Sequence, residues 1–325
     1  MSRIRAFENA AEIASQGGVA AWGLSANAKP AMVRGPLHLS TGQEAVAVGV
    51  CKHLSHADLL TSTHRGHGHT LAKGASVVPM MCELFGRASG TNKGKGGSMH
   101  IADFSVGMLG ANGVVAAGIP IAVGAAHALK IKGEPHVVAC FFGDGAVNRG
   151  PFLEGLNWAK VYDLPVLFVC EDNRISATTP TAPMTAGEGA TARARSMGIG
   201  GLTVDGNDVM AVHDAAAQLI GEVRAGGGPR FLHALTYRFK GHVSVDAGTY
   251  RDAAEVEAAW QSDPLLLART KLLAQGATAG DVDAIDAAAH AEIAAALSAA
   301  EAAPWPGAGA AYEDVMTTAG AGPWR

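Results

Sequence analysis

The stretch "CFFGDGAVNRGPFLEGLNWAKVYDLPVLFVCEDN", Cys140 to Asn173, limits the possible folds more than any other part of the chain. It opens and closes on an apolar run of strand length, and each run stops at a carboxylate or its amide relative, Asp144 and Asn173. Between the runs, "GPFLEGLNWAKVYDL" spaces Phe152, Leu156 and Ala159 at helical intervals. A strand, a helix and a strand in this order form a right-handed crossover, so the two strands run parallel. "GLTVDG" and "RFLHALTYRF" read as two further strands, the second running into the loop "KGHVSVDAGTY". The alternation predicts an α/β fold, a mainly parallel sheet with helices on both faces.

The ends of the chain are read as helical. "MSRIRAFENAAEIASQGGVAAWGL" carries Glu8 and Glu12 where an export signal needs an unbroken apolar region, so it reads as an amphipathic helix. After about Glu255 the composition shifts to Ala, Asp and Glu, with "AIDAAAHAEIAAALSAAEAA" ahead of the breaker "PWPG". This divides the chain into an α/β domain over 1–260 and a C-terminal helical extension over 261–325.

Charge and composition exclude several function classes. Lys and Arg number 25 against 29 Asp and Glu, which leaves no broad basic field for a nucleic-acid backbone or an anionic membrane. The segment 113–129 lacks Lys, Arg and carboxylates, but Pro120 interrupts it and Gly and Ala dominate, which argues against a membrane span. It reads instead as a loop and a helix with Pro120 in the first turn, open to close packing or to a subunit contact. Cys51, Cys82, Cys140 and Cys170 form no CxxC pair and sit in apolar settings, as expected of core residues in a reducing, cytoplasmic compartment.

In open α/β sheets ligands gather beyond the carboxyl ends of the strands, so Asp144 and Asn173 should stand side by side on one rim. Their oxygens, with a free main-chain carbonyl near Ile175, are hard ligands suited to magnesium or calcium, and magnesium commonly keeps phosphate oxygens in its shell. Gly143 and Gly145 allow a close backbone approach, and a helix expected to begin near Asn148 would aim N–H groups at an anion. Three readings of "GDG" stay open on these grounds: a diphosphate held through a metal, an ordinary turn with a capping Asp, and a nucleotide site. "GDGAVN" departs from a dinucleotide fingerprint at Asn148, and "GTNKGKGG" departs from a P-loop in its spacing and at Gly96.

"GDG", the helix and "EDN" together resemble a thiamine diphosphate motif. The blocks "GPLHLSTGQEAVAVG", "STHRGHGHTLAKG", "ELFGRASGTNKGKGGSMHIADF", "GANGVVAAGIPIAVGAA", "TVDGNDVMAVHDA" and "TYRFKGHVSVDAGTYRDAAEV" are similar to the alpha subunits of 2-oxo acid and acetoin dehydrogenases. "THRGHGH", "GKGGSMHIADF" and "MLGANGVV" most resemble the acetoin branch. The resemblance implies the thiamine diphosphate-binding fold, with magnesium held by Asp144, Asn173 and the main-chain oxygen of Ile175. It implies diphosphate contacts at His64, Arg65, Gly145 and Ala146, and backbone contacts to the aminopyrimidine at Gly113 and Val115. His38 and His242 match active-site histidines, with His242 also beside the cofactor, and His67 lies in the same "RGHGH" loop and is expected to join them.

Without the resemblance, His38 reads as a packed or surface histidine, and His64, His67 and His69 lack a ligand that would complete a zinc set. The resemblance further implies a beta subunit that supplies an activating Glu, a tetramer of two alpha and two beta chains, a lipoyl-bearing acyltransferase and a small carbonyl substrate. An acetoin dehydrogenase alpha subunit is the first expectation, a pyruvate or branched-chain 2-oxo acid dehydrogenase subunit the second, and a noncatalytic cofactor-binding homologue the third. Departures from the family pattern fall at Asp172, at Ile175 and Ser176, at Arg149, at Lys240, and at Val243, which stands where a regulatory Ser is found in some relatives.

Overall fold

A computed structural model describes residues 1–17 and 30–314. Part of the expected N-terminal helix, residues 18–24, and the end of the expected extension, 315–325, lie outside the described residues. In chain order the elements are α1 (Ser2–Ser15), α2 (Glu44–Cys51), β1 (Leu59–Thr61), α3 (His67–Ala72), α4 (Val77–Leu84), β2 (Met108–Gly110), α5 (Gly118–Lys132), β3 (Val138–Gly143), α6 (Gly150–Val161) and β4 (Val166–Asp172). The short hairpin β5 (Ile175–Ser176) and β6 (Thr179–Pro180) follows. Then come α7 (Ala190–Ser196), β7 (Gly201–Asp205), α8 (Val209–Arg224), β8 (Arg230–Leu235), α9 (Ala253–Ala259), α10 (Pro264–Ala274) and α11 (Ala279–Ala302).

Six of the described strands form one sheet in the order β2-β1-β3-β4-β8-β7, and every pairing is parallel. Parallel strands are buried on both faces, which accounts for the unbroken apolar runs. Val138, Cys140 and Phe142 of β3, with Val166, Phe168 and Cys170 of β4, pack against α5, α6 and α7. Ala139, Phe141, Leu167 and Val169 face the opposite way, toward α1, α2, α4, α8 and α11. Close approach of α5 and α6 depends on Gly155, where a Cβ would fall 2.5 Å from Ile119 Cγ2.

The two sets of helices follow from crossover handedness. Steps from β2 to β3, β3 to β4 and β4 to β7 advance one way along the sheet and carry α5, α6 and α7 on one face. Steps from β1 to β2 and from β7 to β8 go the other way, so the same right-handed rule puts α4 and α8 on the other face. The chain therefore leaves the carboxyl ends of neighbouring β1 and β3 in opposite directions. A crevice opens between them.

Two boundaries differ from the sequence reading. The helix expected near Asn148 begins at Gly150, because residues Asp144–Asn148 coil into a tight 3-10 turn and Pro151 occupies the first helical turn. The strand expected through Phe239 ends at Leu235, because Thr236 turns its hydroxyl to Gly42 O and Asn207 Oδ1. The C-terminal segment is helical as expected, and Ile293, Ala296 and Ala300 of α11 enter the same core as α1 and α4, so the apolar core continues across residue 260. No described helix is long and apolar enough to cross a membrane. All four cysteines are buried as free thiols, and burial pushes Cys51 and Cys140 up to about 12 and Cys170 well above its ordinary range.

Asp58, just before β1, ties three elements together. Its fully buried carboxylate accepts from Arg224 at 2.5 Å, from the Val137 N–H at 2.9 Å and from the Ser55 N–H at 2.7 Å. Burial alone would raise its pKa, but the Arg224 pair and the N–H donors outweigh it and hold the group below the usual carboxylate range. A depressed carboxylate contributes stability that is complete above its unfolded value, about pH 4, and is lost as pH falls through the native value. Asp58→Asn should therefore cost about 1–3 kcal/mol at pH 7 and flatten the loss of stability below about pH 4, read from urea melts across pH.

Candidate functional site

The crevice between the ends of β1 and β3 widens into a cleft of about 210 Å³. Its walls come from Ser62–Arg65 after β1, Asn112–Ala116 before α5, Gly143–Ala146 after β3, and Asn173 and Ile175–Ala177 after β4. His38, Arg238 and His242 close it from the loops that lie across these strand ends. Of the residues expected from sequence to form a site, His38, His64, Arg65, Gly113, Val115, Asp144, Gly145, Ala146, Asn173, Ile175 and His242 all line this cleft.

Parallel register brings the first pair together. Gly143 lies opposite Glu171, so Asp144 and Asn173 occupy neighbouring places on the rim. Both are buried. Asp144 Oδ2 accepts a 2.6 Å hydrogen bond from the Thr181 hydroxyl. Burial pushes Asp144 up to about 6, the Thr181 bond opposes the rise, and nearby Asp172 adds to it. Asn173 accepts from the Ile175 N–H at 3.2 Å and donates to Gln43 Oε1 at 3.4 Å. The chain then doubles back through Arg174 and Ala177, at φ 66° and 53°, into the small hairpin. Gly145 accommodates that hairpin, since a Cβ there would stand 2.4 Å from Ser176 Oγ.

Three imidazoles meet in the same cleft. The ring of His38 lies 4.6 Å from that of His64 and 4.8 Å from that of His242, centre to centre. Burial, reinforced by the Arg65 charge, pushes His38 down to about 3, His64 to about 2 and His242 to about 4, so all three are neutral at pH 7. His38 Nδ1 is buried and has no hydrogen-bond partner among the described residues.

Two guanidinium groups line the cleft with the imidazoles. Arg65 donates to Leu39 O at 2.7 Å and His242 O at 2.9 Å, pinning two loops together. Arg238 donates to Ala177 O at 3.0 Å and to the Tyr250 hydroxyl at 2.9 Å. Among the described residues neither forms an ion pair with a carboxylate. Burial pulls Arg65 down to about 9, and the like charge of Arg238 adds to the effect. An anion in the cleft would oppose both influences.

His67, expected to join the active-site histidines, stands apart from them. It is fully buried outside the cleft lining, with Nδ1 3.0 Å from Glu8 Oε2 and Nε2 2.9 Å from Ser98 Oγ. As the first residue of α3 it points into the core, where it joins α1 to the loop carrying Ser98. His69 also turns inward, between Ser62 Oγ at 2.7 Å and Glu171 Oε1 at 3.1 Å. The "RGHGH" histidines thus diverge, and the cluster that forms joins His64 to the distant His38 and His242.

Sequence reasoning missed Gln43, Met99, Glu171, Thr181 and Arg238 at or beside the cleft. Arg238 carried a signal, since it stands four residues before His242 in the block "TYRFKGH". Gln43, Met99 and Glu171 likewise stand in the blocks "GPLHLSTGQEAVAVG", "GKGGSMHIADF" and "EDN", whereas Thr181 lies in none and is brought in by tertiary contact alone. Two departures from the family pattern, Asp172 and Lys240, find local partners. Asp172 accepts from His233 Nε2 at 2.8 Å, and against the opposing effect of burial that bond holds it below its usual range. Lys240 pairs with Glu12 at 2.8 Å, Ser244 is buried against Ser15, and Arg149 is exposed.

Residues 23–308 match the family model described as "Dehydrogenase E1 component". The chain is 52% identical over 221 residues to the alpha subunit of acetoin:2,6-dichlorophenolindophenol oxidoreductase of Bacillus subtilis, covering 68% of this chain and 66% of that protein. It is 45% identical over 287 residues to the subunit of the same name from Cupriavidus necator, covering 88% and 85%. The pyruvate dehydrogenase E1 component subunit alpha of Porphyra purpurea is 42% identical over 238 residues, covering 71% and 69%. With a match that runs through every wall of the cleft, the chain belongs to the dehydrogenase E1 component family.

Proposed function

We propose that this chain is the alpha subunit of a cytoplasmic, thiamine diphosphate-dependent acetoin dehydrogenase that cleaves acetoin and passes the acetyl unit to a lipoyl-bearing acyltransferase. The relatives named above support the reaction class, and the donor set of the cleft supports the cofactor. One observation carries the reading: a buried carboxylate, a buried amide and two buried guanidinium groups that, among the described residues, lack carboxylate partners line one cleft. Such a cleft suits a dianionic group tethered through a hard divalent cation.

Asp144, Asn173 Oδ1 and the Ile175 carbonyl would hold magnesium, with Thr181 fixing the carboxylate rotamer. His64, Arg65, Gly145 and Ala146 would meet the diphosphate, while the backbone of Gly113 and Val115 would hold the aminopyrimidine. When bound, thiamine diphosphate would supply the electron sink for breaking a carbon–carbon bond beside the substrate carbonyl. His38 and His242, which burial and the Arg65 charge keep neutral, would act as hydrogen-bond donors or acceptors toward developing charge. The orphaned His38 Nδ1 would find its partner in substrate or cofactor.

A beta chain would complete the site and form a tetramer of two alpha and two beta subunits. Ile121, Gly124, Ala128 and Ile131 of α5 share one exposed stripe, and Trp158 and Val161 of α6 are exposed beside it. His127 links the two helices by accepting from Trp158 Nε1 at 3.1 Å. The exposed Val114 and Val115 extend this apolar face to the mouth of the cleft. A contiguous apolar face next to an incomplete site suits a permanent partner. Ile131→Asp combined with Val161→Asp should weaken co-purification of the beta chain by about tenfold or more, while the melting temperature of the alpha chain moves little, because both side chains are exposed in it.

A pyruvate dehydrogenase subunit is the second reading, favoured by the Porphyra relative and by the charge of Arg65 and Arg238, which would suit a substrate carboxylate. Reconstitution with the beta chain and assay with acetoin, pyruvate and branched 2-oxo acids, using an artificial electron acceptor, separates the readings. Acetoin is expected to turn over fastest. Binding of thiamine diphosphate and magnesium without turnover of any substrate would instead identify a noncatalytic homologue. Asp144→Ala should lower magnesium-dependent retention of thiamine diphosphate by about 100-fold in calorimetry, and unchanged retention would remove the proposed metal site.

A further inference from the structure

The segment "GTNKGKGG", which imitates a phosphate loop, already holds an anion supplied by the chain itself. Glu83 of α4 is fully buried. Its Oε2 accepts from the Asn92 N–H at 2.8 Å and the Gly94 N–H at 2.9 Å, and its Oε1 accepts from the Gly96 N–H at 2.7 Å and the Gly97 N–H at 3.0 Å. A Cβ at Gly90 would fall 2.3 Å from Oε2, so the loop closes on the carboxylate with no room to spare. Successive N–H groups aimed at one point make an anion nest. Here the occupant is an internal side chain.

The loop leads to the cleft by two routes. Asn92 uses its side chain to accept from the Ala102 N–H at 3.0 Å, and the neighbouring Ile101 carbonyl accepts from the Ala111 N–H at 2.8 Å, at the start of the cleft wall Asn112–Ala116. Directly after Gly97, Ser98 is bonded to His67, and Met99 enters the cleft, where a Cβ on Gly113 would stand 3.5 Å from its sulfur. The wall itself is strained, with Ala116 at φ 72°. A residue held in that region persists only where its surroundings over-determine it.

We propose that Glu83 is a positioning residue for the cofactor: by gathering the loop 92–97 around its carboxylate, it fixes Met99 and the wall Asn112–Ala116 in the shape that receives the aminopyrimidine. The inference rests on the function proposed above and goes beyond it, because Glu83 touches neither cofactor nor substrate. A carboxylate is required because both oxygens must accept. A glutamine would present N–H groups to one of the two donor pairs, releasing that half of the loop.

The test compares wild type, Glu83→Gln and Gly97→Ala in the complex with the beta chain. Gly97 lies at φ 62° and ψ −165°, a conformation other residues rarely adopt, and no atom lies within 4 Å of a Cβ placed there. Its substitution therefore disturbs the loop by backbone strain while leaving the buried carboxylate in place. Both variants should be cut by trypsin after Lys93 and Lys95 about tenfold faster than wild type. Both should raise the Kd for thiamine diphosphate by about five- to twentyfold, with kcat at saturating cofactor within about twofold, a split that simple loss of folded protein would not produce.

Faster cleavage with an unchanged Kd in either variant overturns the positioning role, and unchanged cleavage in both overturns the clamp. Should Glu83→Gln fail to fold, Gly97→Ala decides alone by the same two measurements. A wild-type complex that fails to retain thiamine diphosphate would sink the proposed function and the cofactor role of Glu83 with it. Variants that retain it as well as wild type does would sink only the role of Glu83.

Discussion

The divergence of the chain at the carboxyl ends of β1 and β3 is the constraint on which the rest of the molecule depends. Right-handed crossovers place the helices on opposite faces according to the direction of each step, so a reversal of direction leaves one gap along the rim where neither connection covers the strand ends. Everything polar in the cleft hangs from that gap. Ser62–Arg65 leave β1 on one side of it, Asp144–Ala146 leave β3 on the other, and the register between β3 and β4 fixes Asn173 alongside. The sheet supplies rigidity while the loops supply chemistry, which is how one fold can carry precise ligand geometry on otherwise irregular segments.

Buried charge is managed differently in the support and in the cleft. Away from the cleft each buried carboxylate has its acceptor oxygens engaged: Glu8 by His67 and Ser40, Glu44 by Arg5 and the Gly42 N–H, Asp58 by Arg224, and Glu83 by four backbone N–H groups. Removing either member of such a set leaves an uncompensated buried group, so these interactions fix geometry more than they add net stability. Inside the cleft the pattern is reversed. Asp144 has only a neutral hydroxyl as side-chain partner, and Arg65 and Arg238 donate to carbonyl and hydroxyl oxygens. Groups held in this way favour ligands of opposite charge over one another.

Much of this was legible in the sequence because it depends on local pattern. The apolar runs of β3 and β4 with a helix-length interval announced the crossover, and their terminal Asp144 and Asn173 announced the rim. The histidines were less legible. His64 and His67 sit three positions apart in one short block, yet one enters the cleft and the other is locked in the core by Glu8, a partner 59 positions earlier in the chain. No local pattern carries that information. The same holds for Thr181 on Asp144 and for the anion in the "GTNKGKGG" loop, whose resemblance to a phosphate loop reflects real N–H convergence on a carboxylate that only the folded chain reveals. The early start expected for α6 failed for a local reason, since Pro151 favours the first turn of a helix and the residues before it coil more tightly.

The burial of all four cysteines has a practical corollary. A thiolate is the reactive form; all four side chains are shielded from reagents, and burial also holds Cys51, Cys140 and Cys170 protonated to high pH. Alkylating agents and mild oxidants should pass over the native fold. A single cysteine engineered onto its surface would then be the sole attachment point for a fluorophore or spin label, and the background would be silent without any native sulfur having to be removed.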